Sequence, residues 1–419
     1  MVRKKVAIKH SEGASLPRTL LVVGGDVRGE DAGEVFLRDA MRQIPRDRLV
    51  RCSLMAALPN ESIRDWQGFA HIADMHPSQG VYPFFQRRPF RRFATFLLYF
   101  IQRVFVIPRV AKRILVHICQ LEIQRVVVVL NSPQLIYLAA CLIKMGQDIS
   151  ALVWDPPERF AVDQFFPGML RQMLLADFAN VIHSCASLAT ASDGMRAEYV
   201  NRYKKDSVVL IHGVEHALHE QIIKSTHSKN SLLIGFAGNL YAITEWDALL
   251  NALASVSWQI AGRQVEIHIL GSGLTVQRSH PKTRIHYWGW RNVQETIQFI
   301  NGMDIAYLPY WLDEKYRYAT QMCFPNKIPA YLAAGVPILY HGPSDGSPAR
   351  FLANYPAGIG CHTTDSADIV KTLERFVREK DFYPKAAIAI EKARAEEYNL
   401  DVFESRFLTF LTQPLEREK

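Results

Sequence analysis

The chain has no cysteine pairing pattern. Its six cysteines, Cys52, Cys119, Cys141, Cys185, Cys323 and Cys361, are scattered through 419 residues without a CxxC spacing. A disulfide-stapled scaffold is excluded, and reduced, mostly buried thiols of a cytosolic chain are expected. No His/Cys/Asp spacing of the metal-ligand kind occurs, so no metal site is expected, and there is no nucleophile elbow. No run of 18 uncharged apolar residues exists, so no transmembrane helix is expected. The opening "MVRKKVAIKHSEG" is basic with no apolar run behind it, which is not the pattern of a signal peptide. Internal repeats and low-complexity tracts are missing too. Acidic residues are absent from Met75 to Leu121.

What is present fits a folded chain of two domains or more. Hydrophobic residues make up 49% and charged residues 21%, enough for a large core. The net charge of +8 favours acidic partners: phosphorylated ligands, nucleic acid or an anionic membrane.

Short apolar runs alternate with helical patterns. "RTLLVVGGDV", "RLVRCSLMA", "RVVVVL", "ISALVWD", "NVIHS" (180–184), "LATAS" and "SVVLIHGV" read as strands. Residues 215–230 read as a polar linker, after which the rhythm restarts. "LLIGFAGNL", "VEIHILGSG", "RIHYWGW", "MDIAYLPY" and "GVPILYHG" are the next strands, and "TEWDALLNALASV" is a helix with a threonine cap. The pattern is α/β, with two tandem Rossmann-like doubly wound domains, residues 1–214 and 231–395, facing a cleft. A last helix lies within residues 396–419.

Several strands of the second domain finish in permissive turns: Gly238-Asn239, "GSG" at 271–273, and Gly289-Trp290. Such turns on one sheet edge suit a nucleotide laid across it. Asn326-Lys327 opens the helix of "FPNKIPAYLAAGVPILY", where a lysine and helix-end N–H groups complement phosphate. The alternative is a solvated surface lysine. In the first domain, Gly24 and Gly25 follow the first strand in "GGDVRG", which is not a dinucleotide fingerprint. Asp155 ends a strand at the cleft side. It is a general base for an acceptor hydroxyl, a group that positions a sugar hydroxyl, or a turn residue ahead of Pro156-Pro157.

These motifs resemble the donor-binding domain of GT-B fold glycosyltransferases of family 4. "IGFAGNLYAITEWDALLNAL", "VEIHILGSG", "RIHYWGW", "MDIAYLPYW" and "PNKIPAYLAAGVPILY" stand in family order over roughly residues 231–375. Where many relatives carry an arginine and a lysine on the diphosphate, this chain has Asn239 and Thr244. Where they carry two glutamates, it has Met322 and Ala330. Lys327, Trp246 and Asp247 fit a branch with a Pro-x-Lys run. The resemblance implies transfer of a sugar from a nucleotide diphosphate sugar to a lipid-linked or surface-glycan acceptor. It implies no cofactor and no metal, with donor-binding residues Gly24, Gly25, Gly238, Asn239, Gly289, Trp290, Asn326 and Lys327. It also implies a C-terminal helix crossing back to the first domain. A non-catalytic scaffold of the same fold and a sugar-nucleotide epimerase are the alternatives.

The acid-free stretch "FFQRRPFRRFATFLLYFIQRVFVIPRVAKRIL" (84–115) interleaves basic and large apolar residues, as a segment in a membrane interface does. Phe84, Phe85, Arg87, Arg88, Phe90, Arg91 and Arg92 are the expected docking residues, and "FATFLLYF" behind them is expected in the core. No nucleic-acid module accompanies the charge, so nucleic acid is not an expected partner. The expected location is the cytoplasmic face of the cell membrane, as a peripheral protein.

Overall fold

A computed structural model describes residues 16–24, 32–54, 88–164, 166–215, 230–271 and 284–413. Within these residues two sheets follow one another along the chain. The first contains β1 (Thr19–Val23), β2 (Leu49–Ser53), β3 (Arg125–Val129), β4 (Ile149–Val153), β5 (Ser187–Thr190) and β6 (Val208–Val209), all parallel, in the order β2-β1-β3-β4-β5-β6. The second contains β7 (Ser231–Ala237), β8 (Gln259–Ile260), β9 (Arg263–Leu270), β10 (Ile285–Tyr287), β11 (Ile305–Pro309), β12 (Ile338–His341) and β13 (Gly358–Cys361). Its parallel order is β10-β9-β7-β11-β12-β13, with β8 antiparallel on β9. The order reverses between β7 and β11, and ligands of open α/β sheets bind in the crevice at that switch point.

The interior strands carry apolar residues at nearly every position because both faces of the first sheet are covered. Leu20, Val22, Val126 and Val128 face one core, and Leu21, Val23, Val127 and Val129 face the other. This is the two-residue alternation of a pleated strand. Helices Ile107–Gln120, Pro133–Lys144 and Gly168–Ser184 cover the first face. Helices Ala32–Arg42 and Leu400–Thr412 cover the second.

Some expected elements differ. "NVIHS" is not a strand but the last turn and a half of helix Gly168–Ser184. Leu170, Leu174, Phe178, Val181 and Ile182 are buried at helical spacing, so the apolar pair Val181-Ile182 belongs to a helix face rather than a strand. Thr244 does not cap its helix. Helix Ile243–Ser255 starts earlier, after Ala242, without a side-chain cap.

The acid-free stretch gives the largest correction. Arg88–Ile101, the π segment Gln102–Val106 and Ile107–Gln120 run as one helix. Its portion Phe93–Gln120, 28 residues, is long and apolar enough to cross a membrane by length and composition. Charged residues interrupt it, so the absence of an 18-residue uncharged run stands beside this match. "FATFLLYF" is not in the core either: Tyr99 alone in it is buried, while Phe93 is 66% exposed and Leu97 and Phe100 are exposed as well. One face of the helix is nonetheless held by protein. Ile107, Val110, Ala111, Ile114 and Ile118 pack into the first core. Arg103 pairs with Asp177 and lies 3.8 Å from the Tyr137 ring centroid. A helix fixed along one side in this way lies against the domain rather than being surrounded by lipid.

The C-terminal helix Leu400–Thr412 packs on the first domain, not the second. Phe403, Phe407, Phe410 and Leu411 are buried with Leu21, Val23, Phe36 and Val129. The Phe403 and Phe36 rings meet edge to face at 4.9 Å. Arg125, buried in the first sheet, donates to the Gln413 carbonyl at 2.7 Å. Entry to the helix depends on Gly213, because a Cβ there would lie 2.1 Å from the Asn399 carbonyl carbon. Removing a buried phenylalanine side chain costs about 3–5 kcal/mol. Phe403→Ala is therefore expected to lower the urea midpoint of unfolding markedly. An unchanged midpoint would show that the helix does not hold the first domain.

Candidate functional site

At the switch point of the second sheet, backbone packs on backbone. Gly238 (φ +99°) follows β7 and donates its N–H to the Leu270 carbonyl at 2.9 Å. Gly271 (φ +147°) follows β9, and a Cβ there would come 2.6 Å from the Gly238 carbonyl oxygen. No side chain fits between these turns. Gly271 in turn donates to the Gly289 carbonyl at 3.0 Å. The turns after β7, β9 and β10 thus form one continuous strip, with Asn239, Gly289 and Trp290 exposed along it.

Lys327 reaches this strip from helix Lys327–Ala333. Its Nζ donates to the Asn239 carbonyl at 3.4 Å and lies 4.8 Å from the Tyr241 ring centroid and 5.5 Å from that of Phe236. No carboxylate pairs with it among the described residues. Burial pushes its pKa down to about 8. The half-buried ammonium has aromatic faces and one carbonyl for company, which leaves its charge only partly compensated. The helix itself contributes less than the sequence pattern suggests. It has seven residues, and Asn326 at its start is exposed and makes no side-chain cap. A macrodipole builds up with length, so here the cation carries the charge.

The position of Tyr241 is fixed in turn. Buried Glu245 accepts the Leu312 N–H at 2.7 Å, and the Trp311 indole N–H donates to the Tyr241 carbonyl at 3.1 Å. Trp311 stacks with Tyr316 at 4.5 Å and meets Arg159 of the first domain, whose guanidinium lies 5.6 Å from its ring centroid. Arg159 donates to Asp155 Oδ1 at 2.6 Å. The Cys323 thiol, from the second domain, donates to the same oxygen at 3.0 Å. Burial and then the Asp155 charge push the Cys323 thiol pKa well above its ordinary value. Burial opposes the Arg159 charge, but Asp155 outweighs it and raises that pKa.

The structure therefore brings Gly238, Asn239 and Lys327 into contact, and adjoins Gly289 and Trp290 to them through Gly271. It places Asp155 against Cys323, four residues before Lys327. Gly24 is buried at the end of β1. Gly25 lies outside the described residues, as do Phe84, Phe85, Arg87 and the side chains of Arg88, Arg91 and Arg92. Phe90 is 62% exposed. Trp246 and Met322 are buried core residues. Sequence reasoning missed Tyr241, Glu245, Trp311, Arg159 and Cys323. The aromatic run "YLPYW" and the helical i, i+4 pair Asp155/Arg159 were the available signals.

The family described as "Glycosyl transferases group 1" matches residues 231–379. No curated protein matches the chain in sequence. Solved structures match over nearly the whole chain. Sucrose-phosphate synthase from Thermosynechococcus elongatus has a TM-score of 0.65 at 9% identity, covering 93% of this chain and 96% of its own. Trehalose 6-phosphate synthase from Burkholderia multivorans has 0.62 at 14%, covering 94% and 96%. Anabaena HepE in complex with UDP-glucose has 0.62 at 12%, covering 94% and 99%. These likenesses show the GT-B fold.

The lone cation yields a test. Losing one partner of a charged hydrogen bond costs about 1.5–3 kcal/mol. Lys327→Ala is expected to weaken nucleoside diphosphate binding by roughly tenfold to a few hundredfold, with nucleoside binding unchanged. The free lysine is charged below about pH 8, and a bound diphosphate raises its pKa. Wild-type affinity should thus be flat below that pH and fall by up to about tenfold per unit above it, while the variant stays flat. Calorimetry across pH checks both, and equal affinities for wild type and variant would make Lys327 a surface lysine.

Proposed function

We propose that this chain, whose residues 231–379 match the group 1 glycosyltransferase family and whose fold is GT-B, is a glycosyltransferase that moves a hexose from a uridine diphosphate sugar to a lipid-linked or surface-glycan acceptor. The observation that carries the proposal is the Lys327 ammonium held over the Gly238-Asn239 turn without a carboxylate partner. The choice of uridine diphosphate rests on the Anabaena HepE complex with UDP-glucose.

In the transfer, the bond between the sugar's anomeric carbon and the diphosphate oxygen breaks, and the acceptor oxygen bonds to that carbon. The departing diphosphate gains negative charge. Lys327 offsets it at the point where it develops, in a position fixed before the substrate arrives. Backbone turns at Gly238, Gly271 and Gly289 leave room for the nucleotide, and the exposed Trp290 offers a ring face to the base. The acceptor proton goes to Asp155. Its Oδ1 is occupied by Arg159 and Cys323, which fixes the carboxylate in place, and Oδ2 has no hydrogen-bond partner among the described residues.

A membrane-borne acceptor is supported by the helix Phe93–Gln120. Phe93, Leu97, Phe100, Ile101, Val104 and Phe105 are exposed on it, while its other face is locked into the first domain. An apolar helix face beside the basic run 87–92 suits the boundary of an anionic bilayer. WaaG, a structural neighbour (TM-score 0.60, 13% identity, 94% and 100% covered), is a glycosyltransferase involved in lipopolysaccharide biosynthesis. The place of action in this reading is the cytoplasmic face of the cell membrane.

Turnover of UDP-hexoses with lipid-linked acceptors tests the reaction. Asp155→Asn should cut turnover by on the order of 100-fold or more and change nucleotide affinity little, since the residue stands across the cleft from the nucleotide. Normal turnover would leave Asp155 a structural residue. The membrane reading is checked by flotation with vesicles containing anionic lipid. Replacing Arg87, Arg88, Arg91 and Arg92 by serine, or Phe93, Leu97 and Phe100 by serine, should each reduce binding, the first in a salt-sensitive way. Equal binding by wild type and both variants would overturn it.

A further inference from the structure

On β9 and β10 of the second sheet, three side chains converge. Glu266 and His268 stand two apart on β9, so they share a face. His286 on β10 pairs directly with His268 across the ladder. The two imidazoles stack at 4.7 Å. His286 Nε2 lies 3.3 Å and His268 Nε2 3.7 Å from Glu266 Oε2, and all three atoms fall within 4.8 Å of one another. Both Nε2 atoms are shielded from solvent, and among the described residues the Glu266 carboxylate is the one group that faces them, at distances or angles poor for a hydrogen bond. Two shielded ring nitrogens grouped around one carboxylate without a well-formed hydrogen bond leave room for an occupant.

We propose that Glu266, His268 and His286 form a binding site for a divalent transition-metal ion of the zinc class. With ligand bonds of about 2.0–2.2 Å, neighbouring donors around a tetrahedral ion stand about 3.3 Å apart. The two distances to Glu266 match that figure within a few tenths of an ångström. Imidazole and carboxylate donors without thiolate suit zinc, cobalt or nickel rather than a hard oxygen-seeking cation. The ligands are two and twenty residues apart and join only when β10 pairs with β9, which is why no metal motif is visible along the chain. The proposal does not depend on the transfer chemistry.

Occupancy has a consequence next door. The exposed Trp288 indole N–H donates to His268 Nδ1 at 3.3 Å. An ion on Nε2 puts the ring proton on Nδ1, which then donates too. Trp288 must release the ring, so metal binding is reported by this tryptophan.

The test uses the full chain, reduced, with Cys119→Ser to remove its exposed thiol. Equilibrium dialysis should find one equivalent of Zn²⁺, and Co²⁺ should give visible bands with no thiolate charge transfer. His268→Gln and His286→Gln should each weaken binding at least ~10-fold. His286 is on the edge strand, so its variant keeps the test valid if His268→Gln fails to fold. Trp288→Phe should abolish the metal-induced fluorescence change while retaining the metal. Unchanged stoichiometry and affinity in both histidine variants would overturn the proposal, as would thiolate charge transfer with Co²⁺ or no binding by the wild type.

Discussion

Where the carboxyl edges of the two sheets meet, the Cys323 thiol donates to an Asp155 oxygen that Arg159 already holds. Each group answers the next. Asp155 keeps Arg159 charged inside the protein, Arg159 rests on Trp311, Trp311 fixes the Tyr241 backbone, and the Tyr241 ring lies beside Lys327. The path crosses from one domain to the other and returns near its start, since Cys323 and Lys327 sit on the same short stretch. Buried polar groups linked this way are strong only when every member is satisfied, so the cleft is specified as a unit. The C-terminal helix closes a second link between the halves by packing its phenylalanines under the first sheet.

Lys327 is the exception to that satisfaction, and the exception is what makes a site. Its burial lowers its pKa to about 8, a direct sign that the folded protein disfavours the charge it holds. Aromatic faces and one carbonyl offset part of that cost. An incoming phosphate offsets the rest without displacing an internal carboxylate, so binding energy is not spent on breaking an ion pair. The glycines at 238 and 271 keep side chains off the strip beside Lys327.

Much of this was legible in the sequence because it depends on short-range chemistry. A glycine turn after an apolar run marks the carboxyl end of a strand, and the turns at Gly238 and Gly289 were placed at strand ends from that pattern, while Lys327 was placed at a helix start from the Pro-Asn-Lys run. "NVIHS" misled because a two-residue apolar pair fits a strand and a helix equally, and only the partners of Val181 and Ile182 decide. "FATFLLYF" misled for the reverse reason. Its composition is that of a core, but the buried stripe of this helix runs through Tyr99, Ile107 and Ile114, leaving the phenylalanines outside. The Asp155–Cys323 bond and the Glu266–His268–His286 cluster were invisible because they join residues far apart in sequence through pairing and packing that no local pattern encodes.

The position of Arg103 explains how one segment can be too apolar for water and still belong to a folded domain. An unpaired arginine in the middle of a helix this apolar would be costly in lipid. Here its guanidinium turns inward to Asp177 and the Tyr137 ring, so the charge is neutralised within the domain. The same turn of the helix presents Phe100, Ile101, Val104 and Phe105 outward. The ion pair thus orients the helix and sets which face stays uncovered. Because that helix packs on Pro133–Lys144, on the same sheet as Asp155, the uncovered face and the acceptor side of the proposed reaction belong to the first domain. The glycine strip with Lys327 belongs to the second. A sugar acceptor anchored in a bilayer would meet the first domain, and the nucleotide would reach the second from solution.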